Sequence, residues 1–239
     1  METAMNSESR TPSSAVNTSR RKLWLPLALL TIAVGCLLAV LLAPIGRKRT
    51  ATTAVEQPEI RFVLPAFSLT DRSGKTIAND DLKGKVWIAS FVFTRCTGPC
   101  PSVSATVAKL QTELDLANRD DLRFVTFTVD PDRDGLKELA KYADNFRAHP
   151  DRWLFLTGGE REVHALMTNG FKLGITRSTT PSTVEGQEFD HSTMIAVVDQ
   201  QGVARGYFDG YRGPNDTNGE KYDEAYAKLK ALVERLSRE

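Results

Sequence analysis

Two cysteines separated by three residues are the part of this sequence best suited to chemistry. Cys96 and Cys100 lie in the run FTRCTGPCP at residues 93–101, and only 3 cysteines occur in the 239 residues. The third, Cys36, lies inside a long apolar segment. Thiolates are both nucleophiles and soft metal ligands, so a close pair of thiols can form a disulfide, exchange disulfides or bind a metal ion.

The neighbouring sequence predicts how this dithiol is positioned. The apolar run VWIASFVF at residues 86–93 is typical of a strand buried on both faces. Pro101 suits the first position of a helix that begins at Cys100, where the helix dipole and free N–H groups favour thiolate. Gly98 and Pro99 predict a turn between the cysteines, which can bring the two sulfurs together.

The remaining pattern predicts one α/β domain with a mixed sheet, because strand-like and helix-like segments alternate along the chain. A hairpin is expected at residues 67–70 and 75–77, helices at 100–117, 134–146, 160–169 and 222–236, strands at 123–129 and 153–156, and a second hairpin at 194–198 and 203–208. Ligands of open α/β sheets bind at the carboxyl ends of the strands, which is where the dithiol is expected.

A structural disulfide is a weak explanation of the pair, because closing so short a loop stabilises a protein little. Structural zinc requires four ligands, and an iron–sulfur cluster requires four cysteines. Cu(I) favours soft sulfur and accepts low coordination, and imidazole suits copper as well. A copper site would therefore require one histidine in addition to the dithiol.

The sequence offers 3 histidines for this role. His149 precedes Pro150 in an expected surface loop, and His164 falls within a predicted helix. His191 comes just before the strand expected at residues 194–198 and just after a polar stretch, so it can reach the edge that carries the dithiol. Residue patterns favour His191 without excluding the others, and Asp190 beside it could orient its ring.

Three runs together resemble the Sco/SenC family of copper-binding thioredoxin-fold proteins. They are FVFTRCTGPCP at residues 91–101, TVDPDRD at 128–134 and DHSTMIAVVDQQG at 190–202. The resemblance covers about residues 59–239 and implies a thioredoxin-like fold with an insertion before His191. It also implies a copper site formed by Cys96, Cys100 and His191. One departure is the spacer at residues 97–99, where many relatives have an Asp.

The resemblance implies a role in assembling the binuclear copper centre of cytochrome c oxidase. A metallochaperone would take copper from an upstream donor and pass it to subunit II or another cuproprotein, without being an enzyme. Alternatively, Cys96 and Cys100 could act as a thiol-disulfide oxidoreductase that reduces a target's cysteines before metallation; a redox or copper sensor is a third possibility. No proline lies between Pro181 and Met194, where thioredoxin-like reductases carry a cis-proline, which favours metal binding over general disulfide exchange.

The N-terminal part predicts attachment to a membrane. Residues 23–45 (LWLPLALLTIAVGCLLAVLLAPI) carry no charge and are long enough to cross a bilayer as a helix, between a disordered tail (1–22) and a linker (46–58). A cleaved signal peptide or a lipidation site at Cys36 are the alternatives. Basic residues flank both ends, so orientation follows from dithiol chemistry instead. The domain (59–239) is expected in the periplasm, on the bacterial inner membrane, with the N-terminus in the cytoplasm. A net charge of +1 indicates no nucleic-acid partner.

Overall fold

A computed structural model of the chain describes residues 60–177 and 186–239. The predicted tail (1–22), membrane anchor (23–45) and linker (46–58) lie outside the described residues, as does Cys36. Among the residues that are described, no helix is both long enough and apolar enough to cross a bilayer. The anchor and the domain boundaries therefore stay predictions.

Strands and helices alternate through most of the described chain. The strands are β1 (Phe62–Val63), β2 (Ser68–Asp71), β3 (Thr76–Ala78), β4 (Val86–Val92), β5 (Leu122–Thr128), β6 (Trp153–Thr157), β7 (Ile175–Arg177), β8 (Phe189–His191), β9 (Met194–Val198) and β10 (Val203–Asp209). The α-helices are α1 (Cys100–Glu113), α2 (Leu136–Asn145), α3 (Glu160–Ala165) and α4 (Glu220–Leu236). Two 3-10 turns lie at Asn79–Leu82 and Leu116–Asn118, and a π-turn at Leu166–Gly170 follows α3.

Eight strands form one mixed sheet in the order β1-β10-β9-β4-β5-β6-β2-β3. The central strands β4, β5 and β6 run parallel, while β9 lies antiparallel to β4. All residues of β4 are buried, as expected for a strand covered on both faces. Helices α1, α2 and α4 pack against β4, β6 and β10 respectively. The expected α/β architecture with a mixed sheet is confirmed.

The sheet register brings three chain segments to one edge. Val92 at the end of β4 pairs with Thr128 at the end of β5, so the loops that follow these parallel strands emerge side by side. Ala89 of β4 pairs with Ala196 of antiparallel β9, so β9 begins where β4 ends. The dithiol, the TVDPDRD run and the segment before β9 are therefore neighbours.

Two differences from the sequence-based elements concern helix ends. Helix α1 ends at Glu113 instead of residue 117, because Asp115 adopts a left-handed conformation (φ 50°) and a 3-10 turn follows. The predicted helix 160–169 is α-helical only to Ala165 and closes with the π-turn.

A third difference concerns the segment that carries His191. The predicted polar stretch contains strand β7, and residues 189–191 form strand β8, which pairs with β7 in a separate two-stranded sheet. His191 is therefore the last residue of its own strand, paired with Ile175, and does not simply precede β9 in a loop. The insertion expected before His191 stays a prediction, since residues 178–185, between β7 and β8 in the sequence, lie outside the described ranges.

Candidate metal site

The loop between β4 and α1 carries both cysteines, and we refer to residues 94–100 as the dithiol loop. The Cys96 N–H donates to the Phe93 carbonyl at 3.1 Å, which closes a turn directly after β4. Cys100 begins α1, and Pro101 occupies the first turn, where its missing N–H costs no helical hydrogen bond. Both cysteines are free thiols; Cys96 is 8% exposed and Cys100 is fully buried.

The two thiols have opposite acidities. The Cys96 sulfur accepts hydrogen bonds from the Cys100 thiol and from the backbone N–H groups of Cys100 and Gly98, and these lower the pKa of Cys96 to about 6. The pKa of Cys100 is raised, because its proton is held by the Cys96 sulfur and because burial disfavours a charged thiolate. The helix N-terminus is expected to favour thiolate at Cys100, whereas the hydrogen bonds to sulfur favour it at Cys96.

His191 lies directly beside Cys100. Its Nε2 is 3.4 Å from the Cys100 sulfur, and its Nδ1 is 3.0 Å from the Ser192 carbonyl. Because a carbonyl only accepts, Nδ1 carries the proton and Nε2 presents its lone pair to the sulfur. Burial lowers the pKa of His191, which favours the neutral ring that metals bind. The structure thus places Cys96, Cys100 and His191 in one cluster.

Aromatic packing holds the strand that carries His191. The Phe189 ring lies 5.6 Å from that of Phe93 and 5.9 Å from that of His164, both edge to face. The His191 ring contacts the same Phe93 at 5.8 Å. The Arg177 guanidinium covers Phe189 at 4.8 Å. Phe189 therefore packs β8 against Phe93, the residue that directly follows β4.

The TVDPDRD run is tied to the dithiol loop by a buried carboxylate. Asp134 accepts hydrogen bonds from the Thr94 N–H (2.9 Å), the Thr94 hydroxyl (2.6 Å) and the Thr128 hydroxyl (2.5 Å). Burial raises the pKa of Asp134 despite these donors. Sequence reasoning quoted this run only for its resemblance and missed its function as a tether. The signal that the sequence offered was an acidic residue, Asp134, shortly after a strand that ends at the same sheet edge as β4.

The other histidines have structural contacts elsewhere. His164 donates from Nε2 to the Val129 carbonyl at 2.8 Å, and the Nδ1 of His149 accepts from the Asp151 N–H at 3.2 Å. Across the described parts of the chain, no group of three or more His, Cys, Asp or Glu side chains is arranged so that it could hold a metal ion as it stands. The Cys96, Cys100 and His191 atoms are instead hydrogen-bonded to one another, so a metal would have to displace the shared proton.

Fold and geometry define a small α/β protein of the thioredoxin-like type with a dithiol and a neighbouring imidazole at one edge of its sheet. Comparison with known proteins gives the family. The family model described as SCO1/SenC matches residues 55–229, and the chain belongs to this family. The SCO1 protein homolog of Bacillus subtilis is 36% identical over 114 residues, which is 47% of this chain and 58% of that relative.

Two solved structures extend the comparison. BsSco, described as a member of the Sco family of cytochrome c oxidase assembly proteins, superposes with a TM-score of 0.61 at 27% identity, over 76% of this chain and 97% of that one. Yeast Sco1 with copper bound gives a TM-score of 0.55 at 25% identity, over 72% of this chain and 89% of that one. These relatives bear out the family that the three sequence runs indicate.

Proposed function

We propose that this protein is a membrane-anchored copper metallochaperone that binds one copper ion through Cys96, Cys100 and His191. The observation that carries the proposal is the 3.4 Å contact between the Cys100 sulfur and the His191 Nε2. Cys96 is hydrogen-bonded to the same sulfur, so Cys100 contacts both of the other proposed donors. Membership of a family with a copper-bound structure supports the identity of the metal.

The donor set suits copper as a cargo. Two thiolates satisfy Cu(I), and the added imidazole suits Cu(II). Binding requires loss of the proton that Cys100 donates, and Cys96 already has a pKa of about 6. Three protein donors leave room for a ligand from an acceptor, so the ion can pass to another protein by ligand exchange.

We infer that the acceptor is subunit II of cytochrome c oxidase or another cuproprotein, supplied by an upstream copper donor. The relation of BsSco to cytochrome c oxidase assembly supports this acceptor. We also propose that residues 23–45 anchor the protein in the bacterial inner membrane and that the domain faces the periplasm. This segment carries no charge and is long enough to span a bilayer, which supports the anchor. The periplasmic location is supported because a dithiol that exchanges disulfides or copper suits an oxidising compartment outside the cytosol.

Copper titration of the full-length protein in detergent tests the proposal. The wild type should bind about one Cu(II) per chain, with sulfur and nitrogen ligands visible by electron paramagnetic resonance and ultraviolet absorption. His191→Ala should weaken Cu(II) binding by at least about 10-fold, because it removes the nitrogen donor. His149→Ala is the matched control, and it should bind as the wild type does. His149 lies shortly before β6, near the starts of the parallel strands, whereas the dithiol loop follows the end of β4.

Unchanged affinity and spectrum in His191→Ala would remove this residue from the site. The same variant distinguishes the redox alternative. If turnover of a disulfide substrate survives in His191→Ala and is lost in Cys96→Ala, the dithiol acts alone as a reductant. If copper binding is lost while no such turnover is measured in the wild type, metal binding is the function.

A further inference from the structure

A single carboxylate joins the two halves of the candidate site. Glu188 precedes His191 by three residues, within a segment that we call the histidine arm (residues 186–191). Its Oε1 accepts from Nη2 of Arg95 in the dithiol loop at 2.6 Å, and its Oε2 accepts from the Gly186 N–H at 3.0 Å. The Glu188 side chain therefore bridges the residue next to Cys96 and the backbone of the arm.

The arm touches the dithiol loop closely at Gly186. This residue has a φ of +90°, and a Cβ there would lie 2.3 Å from the Arg95 carbonyl oxygen and 2.9 Å from the Thr97 nitrogen. Only glycine permits both this backbone conformation and this approach. The backbones of the two segments are thus in close contact at Gly186, two residues before Glu188.

Strand pairing alone does not fix this distance, although β9, which begins three residues after His191, pairs with β4. The dithiol loop extends from β4 of the main sheet, whereas the histidine arm ends in β8 of the separate β7–β8 sheet. The approach of His191 to Cys100 consequently depends on side-chain contacts between the segments. Phe189 supplies the apolar contact, and Glu188 supplies the polar one.

We propose that Glu188 is a positioning residue that sets the approach of the His191 imidazole to the dithiol and thereby raises affinity for Cu(II) more than for Cu(I). This inference rests on the proposed function. Cu(I) is satisfied by the two sulfurs, whereas Cu(II) gains more from the imidazole. Weakening the bridge therefore lowers Cu(II) affinity selectively.

The expected effect is moderate. Arg95 is 31% exposed and Glu188 is 22% exposed, so the ion pair alone stabilises the arm weakly. The bond to Gly186 adds to it, and outer partners of metal ligands typically change affinity by about 10- to 100-fold. We expect about a 10-fold loss at the lower end of that range.

The test measures Cu(II) and Cu(I) dissociation constants of the full-length protein by chelator competition in wild type, Glu188→Ala and Glu188→Asp. Both variants should bind Cu(II) about 10-fold more weakly, with altered nitrogen hyperfine coupling, while Cu(I) affinity stays within about 2-fold. Aspartate keeps the charge near Cys96 but is one methylene too short for both contacts. A loss shared by both variants is therefore due to the broken bridge and not to altered charge.

Glu113→Ala is the matched control. Glu113 accepts from Lys230 at 2.9 Å in a similarly exposed pair. It lies 13 residues along α1 from Cys100, which is roughly 20 Å at 1.5 Å per residue. This variant should bind both copper ions as the wild type does. Gly186→Ala, which pushes the arm away directly, should reproduce the selective Cu(II) loss.

A copper-free measurement separates the inference from the proposed function. Hydrogen exchange of the Gly186 amide should be about 10-fold faster in Glu188→Ala, since its acceptor is lost. If both Glu188 variants bind Cu(II) with wild-type affinity, the inference is overturned and the proposed function is not. The same holds if their affinities for Cu(I) and Cu(II) fall equally. A wild type that binds no copper overturns the proposed function, and a positioning function for Glu188 falls with it.

Discussion

Cys96, Cys100 and His191 share one proton in the copper-free site. The Cys100 thiol is close to two acceptors, the Cys96 sulfur and the His191 Nε2, and a single S–H cannot be donated fully to both. The neutral imidazole and the low pKa of Cys96 leave the cluster with one thiolate and one thiol near neutral pH. In the proposed site, an incoming ion would therefore meet a preformed negative charge and would release one proton.

This arrangement predicts the pH dependence of thiol reactivity. In the reduced, copper-free protein, the alkylation rate of Cys96 by iodoacetamide should rise with a midpoint near pH 6. Because the pKa of Cys96 is lower in the folded state, this residue contributes stability that is fully present above the unfolded thiol's pKa of about 8.5 and is lost as the pH falls through 6. The raised pKa of Cys100 has the opposite effect, since its contribution is present below about pH 8.5 and is lost at higher pH.

Cys100→Ala provides the matched variant for this prediction. It removes the thiol donor that contributes most to the lowered pKa, so the midpoint should move upward toward the value of the urea-unfolded protein. Peptide mapping assigns the alkylated residue. A wild-type midpoint near 8.5, the ordinary value of a thiol, would show that Cys96 is not activated.

At the scale of elements, the ends of the parallel strands β4 and β5 and the start of the antiparallel strand β9 lie at the same edge and position the site. The loops after β4 and β5 are adjacent because Val92 and Thr128 are paired. Asp134 fastens them together, since it binds both Thr94 of the first loop and Thr128 of the second strand. The position of the dithiol loop thus depends on a carboxylate 38 residues beyond Cys96 in the sequence.

Thr94→Val should destabilise the folded protein by roughly 1–3 kcal/mol, because it removes one of the hydrogen bonds to a buried carboxylate without changing side-chain shape. Urea unfolding followed by circular dichroism measures this loss. Thr94→Ser keeps the hydroxyl and should restore most of the stability. Equal stability of Thr94→Val and wild type would mean that the Asp134 tether does not stabilise the loop.

At the scale of the whole molecule, the proposed anchor determines where this chemistry can occur. Attachment by this segment would confine the proposed copper site to a membrane surface, and the proposed periplasmic location would keep the dithiol outside the reducing cytosol. The proposed attachment lies in residues 23–45, which carry no charge.

This topology predicts that protease added to spheroplasts degrades the domain, as seen with an antibody against α4. A cytoplasmic protein measured in the same sample should stay intact, which controls for lysis. Protection of the domain until detergent is added would reverse the proposed orientation.

Local sequence determined the strongly patterned elements. The apolar run at β4, the Pro101 helix start, the two hairpins and the amphipathic α4 each follow from neighbouring residues, and the structure confirms them. The spacing of the cysteines and the three matching runs also indicated the SCO1/SenC family. Such features depend on periodicity and turn chemistry over a few residues, which a sequence displays directly.

Only the tertiary structure decided which distant groups meet. His191 is 91 residues from Cys100, and their contact depends on the β4–β9 register and on the β7–β8 unit that the pattern did not reveal. The Glu188 bridge likewise joins residues 93 apart in the sequence, and the acidity of Cys96 over Cys100 arises from burial and from hydrogen bonds that form only in the folded dithiol loop. Local propensity carries no information about these distances, because packing of the whole sheet sets them.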